Sequence, residues 1–305
     1  MAETTRRDFM ALAGAFAAAT ALPFGQAEAM PLGIPPGLQL YAVREDLARD
    51  FAGTLRALRA MGYRRVEAAG WGDRSAADFR AAVTDAGLDC ISCHYSLPAL
   101  LDGPEAKLDF ARAAGVRHVV ISSPAPSRPM PAGRPWAVGM AEIMTLADWR
   151  SNAESLNRLA ALARARGLRF GYHNHAAEFL AYENVIAFHE LARLTDPALV
   201  AFEIDIGWVA AAGRDPAEVI RHHGARVRLL HVKDLATSAR TPGRIADDLN
   251  TVPVGSGTID WPAVFAAARR YAHVDSWFVE QEPPFTQPPL EAMRASLAYL
   301  TTLRG

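Results

Sequence analysis

The sequence predicts a single (β/α)8 TIM barrel, and three observations lead to that prediction. Eight short apolar runs suited to buried strands alternate with longer stretches that carry Ala and Leu at helical spacing. Several helical stretches end in a glycine directly before the next apolar run, as repeated parallel βα units do. Residues 39–44, after the start of the first run, contain no glycine-rich nucleotide-binding turn, which disfavours an open doubly wound sheet.

Four glycines mark the repeating unit. Gly62, Gly87, Gly115 and Gly167 each follow an amphipathic stretch and precede an apolar run. Because glycine readily takes the backbone conformation that ends a helix, we expect each to cap one helix C-terminus. The expected strands are residues 38–41, 65–68, 89–93, 118–122, 169–173, 200–205, 228–232 and 277–280.

Two helices and one loop have bounds that the sequence suggests directly. Residues 151–166 and 217–223 have helical spacing of apolar residues, and residues 123–135 are dense in proline. We expect the proline-rich stretch to form a long loop after the fourth strand. Loops in that position shape the active-site mouth of a barrel.

The N-terminus has the layout of a twin-arginine export signal. Arg6 and Arg7 precede Phe9 and an Ala-rich apolar run at 11–23, and Ala27-Glu28-Ala29 offers a cleavage site. The apolar run is short for a membrane span, so we expect no stable membrane anchor after cleavage. The sequence therefore predicts a signal at residues 1–29, one barrel domain at 30–305, and a periplasmic or otherwise exported protein.

Composition narrows the classes of partner. About 275 residues remain after the predicted signal, half of the chain is apolar, and the net charge is −1. This suits one large domain with a substantial core. A near-neutral chain has no field that would favour nucleic acid or an acidic membrane surface, so a small-molecule ligand is the expected partner. The oligomeric state stays open.

The two cysteines match a haem-attachment pattern that their context disfavours. Cys90 and Cys93 precede His94, as in C-x-x-C-H. The segment follows a helix-ending glycine and is expected to be a buried strand, where positions three apart face opposite sides. We therefore expect two buried thiols and neither a haem nor a disulfide.

Imidazoles and charged groups collect at the predicted ends of four successive strands. Since catalytic groups of a (β/α)8 barrel lie at the carboxyl ends of the strands, these residues are expected to share one rim. Burying several acids and imidazoles together costs about several kcal/mol unless a bound cation or ion pairing offsets this cost. The residues in question are His173, His175, Glu178, Asp205, His231, Lys233, Glu280 and Glu282.

A mixed set of nitrogen and oxygen donors predicts one bound divalent cation. Imidazole and carboxylate ligands suit Mn²⁺, Zn²⁺, Co²⁺ or Mg²⁺ better than Ca²⁺. No thiolate is offered at these strand ends, which disfavours a structural zinc site.

Five segments carry a resemblance to a known family. In chain order, they are residues 171–179, 205–208, 231–234, 255–261 and 279–282. Together they resemble the xylose isomerase-like barrel superfamily, and within it the sugar phosphate isomerase/epimerase group. The resemblance covers nearly the whole chain from residue 39 onward.

The resemblance implies a single metal held by residues of strands five to eight. Asp205, His231 and Glu280 match three of the four ligand positions of the family. Many members have Glu at the first position, at the end of strand five, where this sequence has His173. His175 or Glu178 stays an alternative ligand there, since residues two apart share one face of a strand.

The resemblance also implies proton transfer next to a carbonyl. Glu280 is expected to act as both ligand and base, with His175, Glu178 or Glu282 as the partner acid or base. Lys233 is expected either to bind a substrate oxygen or to form a salt bridge with Asp234.

Other residues are expected to contact a sugar. His94 at the end of strand three and Glu282 would line its site, and Trp208 would stack on a sugar ring or else pack in the core.

These expectations favour a metal-dependent sugar isomerase or epimerase acting on a keto-sugar or related polyol. A lyase or dehydratase acting on 3-keto-sugars, glycosides or cyclitol ketones is the main alternative. Export favours unphosphorylated substrates, because phosphorylated sugars are cytoplasmic metabolites. A non-catalytic sugar-binding protein and an apurinic-site endonuclease are further alternatives, and the near-neutral charge disfavours the second.

Overall fold

A computed structural model describes residues 30–237, residue 245 and residues 250–303. Eight parallel strands within this part form a closed barrel surrounded by helices, which confirms the predicted fold class. The expected export signal at residues 1–29 lies outside the described residues and stays a prediction. None of the described helices is both long enough and apolar enough to span a membrane.

The eight barrel strands run in chain order around the barrel. The first strand pairs with the last, Gly37 opposite Phe278, and this pairing closes the sheet. The strands are β1 Gly37–Gln39, β2 Arg65–Ala68, β3 Asp89–Ser96, β4 His118–Ser123, β5 Arg169–His173, β6 Val200–Asp205, β7 Val227–Val232 and β8 Ser276–Val279.

Helices connect the strands on the outside of the barrel. The longest follows β4 and its proline-rich loop and leads into β5. The helices are α1 Arg44–Arg49, α2 Phe51–Met61, α3 Ala76–Asp85, α4 Leu97–Leu101, α5 Pro104–Ala113, α6 Trp136–Ile143, α7 Leu146–Ala165, α8 Ala187–Leu194, α9 Ile206–Ala211, α10 Pro216–His223, α11 Trp261–Tyr271 and α12 Pro289–Leu300.

The four predicted capping glycines all have a positive φ. The values are 123° at Gly62, 75° at Gly87, 91° at Gly115 and 75° at Gly167. Each lies between a helix and the next barrel strand. An L side chain is strained in this conformation, so glycine ends the helix and turns the chain toward the sheet.

Two element bounds differ from the sequence prediction for local reasons. β1 ends at Gln39 because residues 40–43 form a 3₁₀ helix, in which the Gln39 side chain accepts from the Tyr41 amide. α7 begins five residues before the expected start of 151 because Thr145 and Asp148 form a reciprocal capping box.

A small apolar cluster closes the barrel interior beneath the strand ends. It consists of Ile91, Val120, Leu229 and Phe278, and it is separate from the large core that the helices cover. β3 and β4 lie across the barrel from β7 and β8, so these side chains meet inside it. Burying each contributes about 2 kcal/mol. His231 on β7 and Glu280 directly after β8 are two positions further on than Leu229 and Phe278, and they therefore also face inward.

The expected buried thiols are confirmed. Cys90 and Cys93 are both buried and unbridged. Burial raises the pKa of the Cys90 thiol well above its ordinary value, which keeps this side chain in its unreactive form.

Candidate metal centre and active site

Inward positions near the carboxyl ends of β5 to β8 bring four potential ligands together. We call them the donor group: His173, Asp205, His231 and Glu280. All four are buried, the most exposed being Glu280 at 7%. One ligand atom each from Asp205, His231 and Glu280 lies within 4.8 Å of the others. This spacing suits a shared cation.

Individual distances show how the donors converge. His231 Nδ1 lies 2.8 Å from Glu280 Oε2 and 3.7 Å from Asp205 Oδ2. The Nε2 atom of His173 lies 3.8 Å from the same Asp205 oxygen. That oxygen is buried and makes no geometrically acceptable hydrogen bond, although the Lys233 ammonium lies 2.9 Å away. A carboxylate oxygen in this position fits a metal ligand.

His173 is the strand-five residue that the structure places beside the other donors. Its Nδ1 lies 3.1 Å from Glu203 Oε2, which leaves Nε2 facing Asp205. Glu178 is fully buried elsewhere, where its Oε1 accepts a hydrogen bond from the Tyr172 hydroxyl at 2.7 Å. The structure therefore does not bring Glu178 to the site, because residues 177–179 form a 3₁₀ helix that turns away from β5.

Four further polar side chains contact the donor imidazoles or one another. We call them the supporting group: Gln39, Glu67, His94 and Glu203. His231 Nε2 lies 2.6 Å from Glu67 Oε2, and the Gln39 amide donates to the same oxygen at 2.9 Å. Glu67 thereby orients the His231 ring so that Nδ1 faces Asp205 and Glu280.

Glu203 has the corresponding position for the other donor imidazole. It lies two residues before Asp205 on β6, and its Oε2 is 2.7 Å from His94 Nε2 as well as 3.1 Å from His173 Nδ1. His94, His173, Glu203 and His231 form a second set with ligand atoms within 4.8 Å. This set and the set of Asp205, His231 and Glu280 overlap at His231.

Burial and mutual charge shift the titration of the supporting group in opposite directions. Burial opposes charge on both carboxyls, but nearby His94 and His231 hold the pKa of Glu67 far below its ordinary value. Burial, reinforced by Glu67, raises the pKa of Glu203 to about 7. Despite its own burial, His94 has a pKa raised to about 9 by the carboxylates of Glu67 and Glu203.

The donor group and the supporting group bring buried carboxyls close together. Asp205 and Glu280 join Glu67 and Glu203 in a buried cluster of four carboxyls, and Lys233 is the ammonium that pairs with two of them. Burying an isolated charge costs about several kcal/mol unless a charge of opposite sign lies beside it. A divalent cation would compensate it, so the residues fit the expected metal.

Lys233 lies inside the site. Its ammonium is 2.9 Å from Asp205, 3.0 Å from Glu280 and 2.5 Å from Glu282. Burial opposes its charge, but these carboxylates raise the pKa of Lys233 well above its ordinary value. The alternative salt bridge with Asp234 does not form, since Asp234 faces a loop.

Asp234 holds the loop after β7. Its carboxylate accepts from the amides of Leu235 at 2.9 Å, Gly255 at 2.9 Å, and Gly257 and Ile259 at 3.3 Å each. A Cβ atom on Gly257 would lie 2.1 Å from the Asp234 carboxylate, so only glycine allows this close approach. The Gly-Ser-Gly segment therefore positions a loop near the site and is not itself reactive.

A cavity of about 620 Å³ opens above the donor group. His173, Glu280 and Glu282 lie on its wall, together with aromatic and small polar side chains. A cavity of this size accommodates a sugar or a small glycoside. The remaining described residues on its wall are Gln39, Tyr41, Ala69, His94, Ser96, Ser122, Ser123, Pro135, Trp136, Ala137, Val138, His175, Trp208 and Ile245.

His175 belongs to the cavity wall. Its ring centroid is 4.5 Å from Trp136 and 5.2 Å from Trp208. Burial, with the nearby Lys233 ammonium, holds the pKa of His175 well below its ordinary value, so the ring is neutral. Trp208 Nε1 donates to Glu282 Oε1 at 3.2 Å.

The structure thus gathers at one mouth every residue that the sequence analysis selected except Glu178. Glu67, Glu203 and Gln39 were not predicted from the sequence to contact the donor residues. A signal for the two glutamates was present, because each interrupts an apolar strand, and a carboxylate buried in a strand needs a partner.

Comparisons with known proteins extend this description. A family model described as "Xylose isomerase-like TIM barrel" matches residues 55–303. An inosose dehydratase of Geobacillus thermodenitrificans is 30% identical over 165 residues, covering 50% of this chain and 54% of that protein. This chain therefore spans about half the length of that curated relative.

Two solved structures share the fold. A sugar phosphate isomerase/epimerase from Parabacteroides distasonis superposes with a TM-score of 0.71 at 23% identity, over 93% of this chain and 98% of that one. The IOLI protein, solved with a zinc atom, gives a TM-score of 0.65 at 15% identity, over 88% and 97% of the two chains. Because the family model matches most of its length, this chain belongs to the xylose isomerase-like TIM barrel family.

Proposed function

We propose that this protein is a metal-dependent enzyme that removes the proton next to the carbonyl of a keto-sugar or keto-polyol, followed by elimination of a neighbouring oxygen. The observation that carries the proposal is the convergence of Asp205, His231 and Glu280, with ligand atoms within 4.8 Å, beneath a cavity. His173 completes the proposed ligand set.

The donor set suits Mn²⁺, Zn²⁺, Co²⁺ or Mg²⁺. When bound, such an ion would polarise a carbonyl and an adjacent hydroxyl, which lowers the cost of forming an enediolate. The zinc atom in the IOLI structure is in keeping with Zn²⁺ as one of the candidates.

Glu280 is the proposed base. Its Oε2 is engaged by His231 at 2.8 Å and by Lys233 at 3.0 Å. The residue also lines the cavity, and its other oxygen has no hydrogen-bond partner among the described residues. That oxygen would accept the proton from the substrate carbon. The ammonium of Lys233 would stabilise negative charge that develops next to it.

The wall formed by β3 to β5 favours elimination over isomerisation. Proton transfer by two carboxylates needs a carboxyl group on each side of the substrate. The titratable side chains that line this wall are instead the imidazoles of His94, His173 and His175. Glu178 faces away. In elimination, the proton taken by Glu280 and the departing oxygen leave together as water or an alcohol, and His175 would donate a hydrogen bond to that oxygen. The curated relatives named inosose dehydratase support this choice.

Isomerisation or epimerisation is the second candidate. His175 is a neutral imidazole on the wall facing Glu280, and its buried Nδ1 has no hydrogen-bond partner among the described residues. In isomerisation, Glu280 would return the proton that it removed to the neighbouring carbon, and this neutral ring would hydrogen-bond the substrate oxygens. The likeness to a structure named sugar phosphate isomerase/epimerase is in keeping with this candidate.

The cavity favours an unphosphorylated substrate with more than one ring. Its described wall contains no arginine or lysine that would bind a phosphate group. Tyr41 and Trp136 remain more than one third exposed at its mouth, whereas Trp208 lies near the donor group. Aromatic faces suit stacking against sugar rings. A keto-sugar glycoside would extend from Glu280 to the outer aromatic pair.

Metal analysis and product analysis together test the proposed function. We expect about one divalent ion per chain, lost in Asp205→Ala and in His231→Ala and retained in the exposed control Glu218→Gln. A wild-type protein that takes up none of the four ions would contradict the metal-dependent reaction. Incubation of the loaded protein with keto-sugar glycosides and inososes in deuterated water follows.

The products distinguish the two candidates. Elimination predicts release of water or of the glycosidic alcohol with an unsaturated or enolic product. A product that keeps the substrate's composition and carries one solvent deuterium would instead establish isomerisation or epimerisation. Loss of either activity in Glu280→Gln, with metal still bound, would identify the base.

We also propose that the protein is exported by the twin-arginine route, on the basis of Arg6, Arg7 and the apolar run at 11–23. Replacing both arginines by lysine should leave the protein uncleaved in the cytoplasm. Normal export of that variant would exclude this route.

A further inference from the structure

The opposite end of the barrel has a cationic cavity that the proposed reaction does not use. Two adjoining pockets, of about 290 and 330 Å³, share His118 and Arg169. We call them together the basal cavity. Arg65, His118 and Arg169 begin β2, β4 and β5, so the cavity lies at the amino-terminal ends of the strands, away from Glu280.

Arginine outnumbers carboxylate on its wall. The wall includes five arginines and one acid, Asp275. Asp275 pairs with Arg169 at 2.5 Å, and Asp89 beside the cavity pairs with Arg117 at 2.7 Å. The five arginines are Arg65, Arg117, Arg164, Arg169 and Arg228.

Three of the five guanidinium groups lack a carboxylate partner within the described residues. Arg65 donates to the Asp275 carbonyl oxygen at 2.8 Å and to Ser276 Oγ at 3.3 Å. Arg228 donates only to the His273 carbonyl oxygen, at 3.3 Å. Arg164, on the last turns of α7, also lines the cavity, and its side chain makes no hydrogen bond or ion pair with the described residues.

His118 is a buried polar group in the wall common to both pockets. It is 2% exposed, and its Nε2 lies 3.6 Å from an Asp275 oxygen. Burial lowers the pKa of His118 to about 4. The Asp275 carboxylate opposes this shift, and the Arg169 guanidinium adds to it. The ring is therefore a neutral hydrogen-bonding group inside a region of positive potential.

The remaining wall is apolar. Leu168, Phe170, Leu199 and Ala201 face the pocket that Arg164 and Arg228 also line. A cavity with cationic groups on one side and apolar groups on the other suits an organic anion better than a hydrated inorganic cation.

We propose that the basal cavity binds a phosphate group, free or as the monoester of a small organic molecule. Guanidinium groups bind phosphate oxygens through paired hydrogen bonds, and Arg164, Arg228 and Arg65 have donors available for them. A ligand between Arg164 and Arg228 would link α7 to β7. It would stabilise the barrel without occupying the catalytic cavity, and the proposal does not depend on the proposed reaction.

Calorimetry and thermal unfolding with phosphate test this inference. We expect millimolar phosphate to bind and to raise the melting temperature, whereas chloride at matched ionic strength does not. The double variant Arg164→Gln/Arg228→Gln should lose about tenfold or more in affinity. Arg294→Gln on the exposed side of α12 is the matched control and should bind normally. Arg164 is exposed, so the single variant Arg164→Gln provides a folded protein if the double variant unfolds.

Further comparisons distinguish free phosphate from a phosphate monoester as the ligand, and the basal cavity from the metal centre as its site. Tighter binding of glycerol 3-phosphate than of phosphate would show that the apolar wall takes part, and the reverse would identify free phosphate as the ligand. Equal effects of phosphate and chloride would overturn the inference. Binding that survives in the arginine variants but disappears in Asp205→Ala would also overturn it, because phosphate would then lie at the metal centre.

Discussion

His231 shows how single contacts define the donor group. Both nitrogens of its ring are engaged, Nε2 with Glu67 and Nδ1 with Glu280. An imidazole that donates one N–H to a carboxylate presents the other nitrogen as a metal ligand of fixed direction. Glu67 therefore influences the metal although it lies on the far side of the ring.

Replacing Glu67 by Gln tests this influence. We expect metal affinity to fall about 10- to 100-fold, because the neutral amide no longer fixes the charge and orientation of the His231 ring. Chelator competition measures the affinity, and the visible spectrum of the Co²⁺ form reports ligand geometry. Glu218→Gln, exposed on α10, is the control. Unchanged affinity and spectrum in Glu67→Gln would show that His231 needs no such support.

Glu178 gives a prediction about pH. Burial raises its pKa to about 7 from an ordinary value of 4.5. Between about pH 4.5 and 7, Glu178 is protonated in the folded state but ionised in the unfolded chain. Its contribution to the free energy of unfolding is therefore complete below about pH 4.5 and is lost as the pH rises through about 7. At pH 8, Glu178→Gln should be more stable than the wild type by about 2–3 kcal/mol, and near pH 4 the two should be similar.

Urea unfolding across this pH range measures the difference. Glu190→Gln serves as a contrast, because Glu190 forms ion pairs with Arg150 and Arg193 and its pKa is lowered by their hydrogen bonds, to about 2. Parallel pH profiles for wild type and Glu178→Gln would contradict the assignment of a buried, protonated Glu178.

At the scale of elements, the sequence predicted the strands well and the active-site connections poorly. The strands are buried on both faces and read as continuous apolar runs, so most observed bounds lie within one or two residues of the expected ones. Two short antiparallel ladders were missed, Ala181–Tyr182 with Val185–Ile186 and Asp234–Leu235 with Thr251–Val252. Two-residue strands carry no periodicity that a sequence could show.

The supporting group could not be assigned from sequence for a related reason. Glu67 reaches His231 across the barrel, 164 residues later in the chain. Which inward residue meets which depends on the register of the closed sheet, and the pairing of β2 with β3 shifts between Val66 and Glu67. The donor group lies at the ends of four consecutive strands, which the sequence shows. The contact of Glu67 with His231 depends on how the barrel closes, which the sequence does not show.

The loop after β7 provides a test at this scale. Gly257→Ala places a Cβ against the Asp234 carboxylate and the Leu235 carbonyl oxygen, at 2.1 and 2.4 Å. We expect a loss of about 1–3 kcal/mol in the free energy of unfolding, because the amides lose their acceptor geometry. Chemical unfolding measures it, and Ser256→Ala is the neighbouring control because that residue is exposed. Equal stability of the two variants would mean that the loop tolerates rearrangement.

For the whole molecule, metal binding and folding should be coupled. The donor group and the supporting group come from seven of the eight strands or their carboxyl ends, all but β4, so a bound ion would connect almost the full circumference of the barrel. At saturating metal, the folded state should gain about 3–4 kcal/mol. Removal of the ion should lower the melting temperature by about 5–10 °C.

Thermal unfolding with a chelator and after reloading checks this coupling. Asp205→Ala should not respond to either treatment. A wild-type melting temperature that is the same with and without bound metal would show that the barrel is closed independently of the ion.

Barrel closure also determines when the centre can come into existence during synthesis. Glu67 lies on β2, whereas Glu280 directly follows the last barrel strand, which must pair with β1. A ribosome-bound fragment that lacks β8 has neither a sealed sheet nor a full complement of ligands. An ion held by the whole donor group would therefore be acquired only after β8 has been synthesised, and under the proposed export of the folded protein that means before it leaves the cytoplasm. The choice of metal would then reflect the ion pool of the compartment of synthesis, not that of the compartment where the protein works.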